Sequence, residues 1–201
     1  MSFNFFDTKI EFRIGFFIYA YVFVAIDTSG FSDYFLLSVI LHELAHIFTL
    51  FYCNIKIEKI LFSLSGIYIV SDDKFSLSLK KQLVIMSSGS AFNLFLAIFF
   101  ALLGINGNTS FLSFSVTNLI IGVYNLFIIN GLDGGDILRL ILNNYLVQSI
   151  ARRVYVLIEF IFTLASLTLF SILALKGKIS ILFMCIFSIL ILLNTLNTSK
   201  Q

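Results

Sequence analysis

Residues 35–55 read FLLSVILHELAHIFTLFYCNI, and this stretch holds both histidines of the chain within five residues, His42-Glu43-Leu44-Ala45-His46. Glu43 is the only charged residue of the stretch, which has the length that a helix needs to cross a bilayer. On a helix, residues four apart lie one turn apart on the same face. The stretch therefore predicts a membrane helix that directs two imidazoles to the same side.

The spacing of the two histidines indicates a metal site. Two histidines placed at random in such a chain, with glutamate next to the first, would form this arrangement roughly once in 5,000 chains. Both imidazoles can bind one tetrahedral zinc ion, and Glu43 stays close enough to contact its bound water. The alternative is a buried, hydrogen-bonded histidine pair in a helix bundle. The apolar setting argues against it, because ionisable groups inside a membrane are costly and are usually kept for function.

The composition excludes several classes of protein. The chain is 59% apolar with 25 Phe, 12% of its residues are charged, and its mean hydropathy is +1.03. Because soluble domains carry about 25% charged residues, we expect an integral membrane protein. A net charge of +2, with basic residues spread among loops, gives no indication of nucleic-acid binding. Cys53 and Cys185 lie in separate apolar segments and predict packing residues rather than a disulfide framework.

Six apolar runs predict an all-α polytopic membrane protein with about six transmembrane helices, at 14–26, 35–55, 82–103, 113–132, 154–175 and 179–196. Eleven of the 13 Lys and Arg residues fall in alternate segments, so the positive-inside rule places both termini and the loops 56–81 and 133–153 in the cytoplasm. We expect a bacterial cytoplasmic membrane. The segment 56–70 predicts a small β-hairpin-like structure between the second and third helices. Residues 1–201 are expected to form a single membrane domain.

A catalytic zinc ion needs three protein ligands and an open position for water, and the chain has no third histidine. Asp133 is the favoured candidate, because it ends an uncharged run and because neighbouring glycines let the backbone leave the helix. The alternative for Asp133 is an ordinary glycine turn at a membrane exit. Cys53 would lie about 10 Å further along the helix than His46. The other acidic candidates lie in the charged loop, where solvation is their default role: Glu58, Asp72 and Asp73.

Four blocks of sequence, in order, resemble the site-2 protease family of intramembrane metalloproteases. The HExxH motif of the family corresponds to 42–46, its F-P-L-G-G block to 62–66, its G-P-x-x-N block to 89–93, and its N-x-x-P-x-x-P-L-D-G-G block to 125–135. Every proline of these blocks is missing, and in the last block Ile128 and Gly131 stand in their places. Prolines shape the backbone rather than bind metal, so their absence bears on local geometry more than on chemistry.

The resemblance implies one zinc ion per chain, held by His42, His46 and Asp133, with Glu43 as the general base. The implied activity is zinc-dependent cleavage of a transmembrane protein or peptide substrate in the lipid bilayer, near the cytoplasmic face. The expected topology, with no PDZ insertion, is most similar to the branch that includes the sporulation protease processing a membrane-tethered sigma-factor precursor. Members of that branch often carry a CBS domain, and we expect none here.

The resemblance also implies that an asparagine amide stabilises the negative charge that develops on the substrate carbonyl. Asn125 is preferred, because eight residues before Asp133 corresponds to about two helical turns and nearly the same face. Asn93 is the weaker candidate. For either asparagine the alternative is an interhelical hydrogen bond.

Two functions of other classes remain as alternatives, a zinc-binding membrane transporter and a catalytically silent membrane scaffold. A transporter predicts acidic or histidine residues on several helices, whereas Glu159 is the only acidic residue besides Glu43 within the predicted helices. A buried carboxylate such as Glu159 needs a partner, and no sequence feature names one. A scaffold has no need of the base Glu43. No residue pattern identifies the substrate or a regulatory membrane partner.

Overall fold

The computed structural model describes residues 2–5, 8–27, 30–63, 66–71 and 77–176. The chain divides into two compact units, Met1–Asn125 and Leu126–Gln201. The described residues of the first unit form four strands and four helices, in the order β1 (Ser2–Phe5), β2 (Thr8–Phe12), α1 (Ile14–Ile26), α2 (Phe31–Tyr52), β3 (Ile57–Ser63), β4 (Gly66–Ser71), α3 (Leu79–Gly104) and α4 (Thr109–Asn125).

The four strands form one sheet in the order β1-β2-β3-β4. β1 and β2 are antiparallel, as are β3 and β4, and residues 64–65 between the latter two lie outside the described residues. β2 and β3 pair in parallel, with α1 and α2 forming the crossover that parallel pairing requires. Phe12 and Phe62 lie opposite each other in this pair, and their rings stack with centroids 4.3 Å apart. The sheet therefore contains β1 and β2 in addition to the strands of the predicted segment 56–70.

An ion pair also joins β2 to β3. The Lys59 Nζ atom lies 2.7 Å from a carboxylate oxygen of Glu11. The hydrogen bond from Lys59 lowers the pKa of Glu11 below its ordinary value, with Lys9 and Arg13 adding to the effect. Both side chains are partly exposed to solvent, where ion pairs stabilise proteins only slightly.

A hydrophobic cluster packs the sheet against the ends of two helices. Its buried members come from the end of α2, from β3 and the residues before it, and from the start of α3: Leu50, Ile55, Ile57, Ile60 and Ile85. Cys53 packs against this cluster as a free thiol, which confirms the prediction of a packing residue. Leu50 lies one helical turn after His46, so the cluster anchors the helix that carries the histidines.

Small residues allow close packing between α3 and α4. The Ser115 hydroxyl donates a hydrogen bond to the Ala97 carbonyl at 2.6 Å. A Cβ atom added to Gly122 would lie 3.2 Å from the Ser90 carbonyl oxygen, so the helix backbones approach each other closely at this glycine. Such small-residue contacts are typical of helix pairs in membranes.

Two of the described helices, α2 and α3, are long and apolar enough to cross a membrane. Their outward faces are apolar as well, since Phe48 of α2 is 73% exposed and Ile98 of α3 is 65% exposed. α1, with 13 residues, spans only about 20 Å, less than the hydrocarbon thickness of a bilayer. The expected count of six spans is therefore not established, and the run 179–196 lies outside the described residues.

The described part of the second unit contains α5 (Asp133–Tyr145) and α6 (Gln148–Leu175). Two boundaries predicted from the sequence are wrong here. The helix expected over 113–132 ends at Asn125, and the loop expected over 133–153 contains α5 and the start of α6. Hydropathy misses the first boundary because 126–129 stay apolar after the helix ends. It misses α5 because this helix is amphipathic rather than apolar.

Candidate metal centre

His42 and His46 lie on one face of α2, which is a continuous helix from Phe31 to Tyr52. Their Nε2 atoms are 3.2 Å apart. Two nitrogen ligands held at 2.0–2.1 Å by a tetrahedral zinc ion lie about 3.3 Å from each other. His42 is only 4% exposed, and His46 is half-buried. The observed geometry therefore fits two ligands of one zinc ion.

The other ring nitrogen of His46 has hydrogen-bond partners on α3. His46 Nδ1 lies 2.8 Å from the Ile85 carbonyl oxygen, which can only accept, so Nδ1 carries the proton and donates. The Ser88 hydroxyl donates to the same carbonyl at 2.8 Å, and its oxygen lies 3.1 Å from Nδ1 as a second acceptor. In the neutral imidazole this proton on Nδ1 leaves Nε2 unprotonated, and that is the form that binds metal.

Gly89 of α3 lies directly against the two Nε2 atoms. A Cβ atom added at this position would overlap Nε2 of both histidines and would lie 2.7 Å from His42 Cε1. Any larger residue would therefore occupy the space between the rings and α3. The absence of a side chain therefore lets the backbone of α3 lie directly against the two Nε2 atoms, which a larger residue at this position would not allow.

Glu43 follows His42 on the same continuous helix and is half-buried. Adjacent residues on a helix are rotated by about 100°, so Glu43 flanks the face that carries the imidazoles. The other candidates of the first unit do not join this face. Cys53 follows Tyr52, the last residue of the helix, and Glu58 is exposed on β3. Asp72 and Asp73 lie outside the described residues.

The two asparagine candidates differ in their surroundings. Asn93 is completely buried one turn after Gly89, and its amide has no hydrogen-bond partner among the described residues. Asn125 is half-buried, and its Nδ2 donates to the Ile121 carbonyl at 3.1 Å within α4. The expectation that Asn125 and Asp133 share a helix face is wrong, because residues 126–132 between them are not helical.

Asp133 belongs to the second unit, where it is the first residue of α5 and is half-buried. The two glycines after it are buried. A Cβ atom at Gly134 would overlap the Leu126 carbonyl, and one at Gly135 would overlap the Ile129 carbonyl. The Gly-Gly pair is therefore required by close backbone packing of 126–129 on the first turn of α5. A mere turn at a membrane exit would not need both glycines.

Several contacts of these sites lack a strong signal in the sequence. Gly89 matches a family block, but its closeness to the imidazoles is visible only in the structure. The run Ser87-Ser88-Gly89-Ser90 within an apolar helix is the available signal, since small residues mark close helix contacts. The Ile85 carbonyl carries no signal at all, because every residue has one.

No protein-family model matches the sequence, and no curated protein matches it either. Among solved structures, the chain is similar to the site-2 protease from Methanocaldococcus jannaschii, with a TM-score of 0.69 and 24% sequence identity. The match covers 96% of this chain and 92% of that chain. At this identity the likeness establishes the fold, and the resemblance to site-2 proteases is confirmed at that level.

Proposed function

We propose that this protein is a zinc-dependent intramembrane endopeptidase that cleaves a transmembrane or membrane-tethered protein near the cytoplasmic face. The observation that carries the proposal is the pair of Nε2 atoms, 3.2 Å apart on an apolar helix, with Gly89 of α3 directly against them. The site-2 protease fold supports the same reading.

Asp133 is the proposed third ligand. Two imidazoles and one carboxylate form a known donor set of catalytic zinc sites, in which the fourth position stays open. When bound, zinc would lower the pKa of a coordinated water molecule to about 7 and polarise the scissile carbonyl. The chain's own contribution is to hold the donors. His46 is oriented by Ile85, and Asp133 is fixed at the start of α5.

Glu43 is the proposed general base. Its carboxylate accepts a proton from the attacking water as the new carbon–oxygen bond forms. It then delivers that proton to the nitrogen of the peptide bond that breaks, so the products are a carboxylate and an amine. The position next to His42 on a continuous helix gives the carboxylate a fixed place beside the metal ligands.

We propose Asn93 as the amide that donates to the developing oxyanion. Its side chain is fully buried one turn from Gly89 and has no partner among the described residues. A buried amide is costly without an acceptor for its N–H groups, and the substrate oxygen would supply one. Asn125 already donates one N–H to Ile121. The expected preference for Asn125 also rested on a helical spacing that the chain does not have.

A helix in the substrate must open before its carbonyl can react, because helical hydrogen bonding hides the peptide bonds. β4 is an edge strand among the described strands, and we propose that the opened substrate pairs with it by main-chain hydrogen bonds. The alternative is an interfacial hairpin with no substrate role. The proposed location is a bacterial cytoplasmic membrane, with both termini in the cytoplasm. We also propose that a membrane partner regulates the cleavage.

The test compares cells that carry the wild-type protein, Glu43→Gln and the matched control Glu58→Gln, by mass spectrometry of membrane proteins. We expect one cleaved product in the wild type and in Glu58→Gln that is missing in Glu43→Gln. Purified protein should contain one zinc ion per chain. Zinc uptake into vesicles that persists in Glu43→Gln, with no cleaved product in any strain, would instead support the transporter.

A further inference from the structure

Glu159 of α6 is a buried carboxylate, only 8% exposed, in an otherwise apolar part of its helix. Its Oε1 atom accepts a hydrogen bond from the backbone N–H of Asn130 at 2.9 Å. Burying a carboxylate is costly unless it is hydrogen-bonded, and the partner here is a main-chain group three residues before Asp133. Glu159 therefore contacts the segment that leads into the proposed ligand.

The side chain of Asn130 is held as well. Arg139 of α5 donates a hydrogen bond to Asn130 Oδ1, and its guanidinium group lies over the Tyr155 ring, 4.7 Å from the centroid. Tyr155 precedes Glu159 by one turn of α6. Asn130 is thus fixed at its backbone by α6 and at its side chain by α5.

The segment 126–132 needs such contacts because it has no regular secondary structure. Gly131 has a φ of +83°, and the internal backbone bonds of the segment are short-range, from Ile129 N–H to the Phe127 carbonyl and from Leu132 N–H to the Ile129 carbonyl. Helices and strands fix their residues by repeated hydrogen bonds, whereas here single contacts determine the path of the chain.

We propose that Glu159 is a positioning residue for Asp133: by accepting the Asn130 N–H, it holds 126–132 in the path that presents the Asp133 carboxylate to the metal. This inference rests on the proposed role of Asp133 as a ligand. The contact requires an acceptor atom at the end of a side chain as long as glutamate. It does not require the negative charge of that side chain.

The test uses three variants of the purified full-length protein in detergent. Glu159→Gln keeps the reach and loses the charge, Glu159→Asp keeps the charge and loses the reach, and Glu159→Leu loses both. The readouts are zinc affinity, measured by competition with a chelator, and the visible spectrum of the cobalt-substituted protein. Ser166→Ala is the control, because this buried serine donates only to Thr163 within α6 among the described residues.

We expect Glu159→Gln and Ser166→Ala to bind zinc within about threefold of the wild type. Glu159→Asp and Glu159→Leu should lose about 10- to 100-fold in affinity, as is typical when a group that orients a ligand is removed. Their cobalt spectra should change too. Normal affinity in Glu159→Asp together with weak binding in Glu159→Gln would assign the role to charge and overturn the proposal, as would wild-type behaviour of all three variants.

The proposed function fails in a different way. If Asp133→Ala binds zinc as tightly as the wild type, Asp133 is not a ligand, whatever the Glu159 variants do. If Asp133→Ala loses zinc and the Glu159 variants do not, the site stands and the positioning role is wrong. Should Glu159→Leu fail to fold, the comparison of Glu159→Asp with Glu159→Gln still decides, because both retain a polar side chain.

Discussion

His42 and His46 lie in the middle of the 22-residue helix α2, whereas Asp133 begins α5 after seven residues, 126–132, without regular structure. The first region is held by a main-chain carbonyl on a neighbouring helix and by the packing of Gly89. The second is held by side chains, with Glu159 and Arg139 both contacting Asn130. We therefore expect the histidine region to tolerate most substitutions of side chains that surround it, and the Asp133 region to be sensitive to them.

The largest expected effect lies in the first region and separates chemistry from metal binding. Glu43→Gln should lower the rate of substrate cleavage by about 10²- to 10⁴-fold, because the amide cannot accept a proton. Zinc content should stay at one ion per chain, since the ligands are unchanged. The measurement is cleavage of a transmembrane substrate beside elemental analysis, with Glu58→Gln as the control. Rapid cleavage by Glu43→Gln would remove Glu43 as the base.

A second prediction asks whether both regions bind the same ion. His46→Ala and Asp133→Ala should each lower zinc affinity by more than about 100-fold, a larger loss than removal of an outer contact gives. Asp136→Ala is the matched control, because Asp136 also lies in the first turn of α5. Isothermal titration with zinc measures all four proteins. Equal affinities of Asp133→Ala and Asp136→Ala would leave the third ligand to be found elsewhere.

How much of this comparison is visible in the sequence differs between the regions. The helical period of 42–46 predicts the face of α2 and the convergence of two imidazoles, and the structure confirms both. In the Asp133 region the sequence predicts the ligand residue but not the backbone that leads to it. Residues 126–129 are apolar, and apolar residues occur both in helices and outside them. The hydrogen bond from Asn130 to Glu159 joins residues 29 apart. Local patterns carry no information about such a contact.

The sheet shows the same limit. The segment 56–70 has a recognisable β pattern, but β1 and β2 are short, and the parallel pairing of β2 with β3 joins Lys9 to Lys59 across two helices. Periodicity predicts a strand at most, and never its distant partner. The resemblance of four blocks to one family supplies what periodicity lacks, because it implies a fold, and the chain is similar in fold to a solved site-2 protease.

A third prediction compares one glycine in each region. Gly89→Ala should abolish tight zinc binding, because the added methyl group overlaps Nε2 of both histidines and displaces the rings. Its loss of thermal stability should be small, because the overlapped atoms are the ends of side chains and because alanine favours a helix. Gly135→Ala should lower stability by about 1–3 kcal/mol, because its methyl group meets the Ile129 carbonyl. Thermal unfolding in detergent and zinc content measure the two effects. Similar losses of stability in both variants would contradict the distinction between the regions.

The smallest expected effect concerns Ser88, and it tests whether the main chain alone holds the histidine region. The Ser88 oxygen is the second acceptor for His46 Nδ1, 3.1 Å away, while the Ile85 carbonyl accepts at 2.8 Å. Because no side-chain substitution can delete that carbonyl, Ser88→Ala should lower zinc affinity by less than about 10-fold, below the usual range for a ligand-orienting group. Ser87→Ala is the matched control, since its hydroxyl donates to Val84 within α3. A loss in Ser88→Ala as large as that in Glu159→Leu would mean that a side chain orients His46 after all, and the two regions would then be held in the same way.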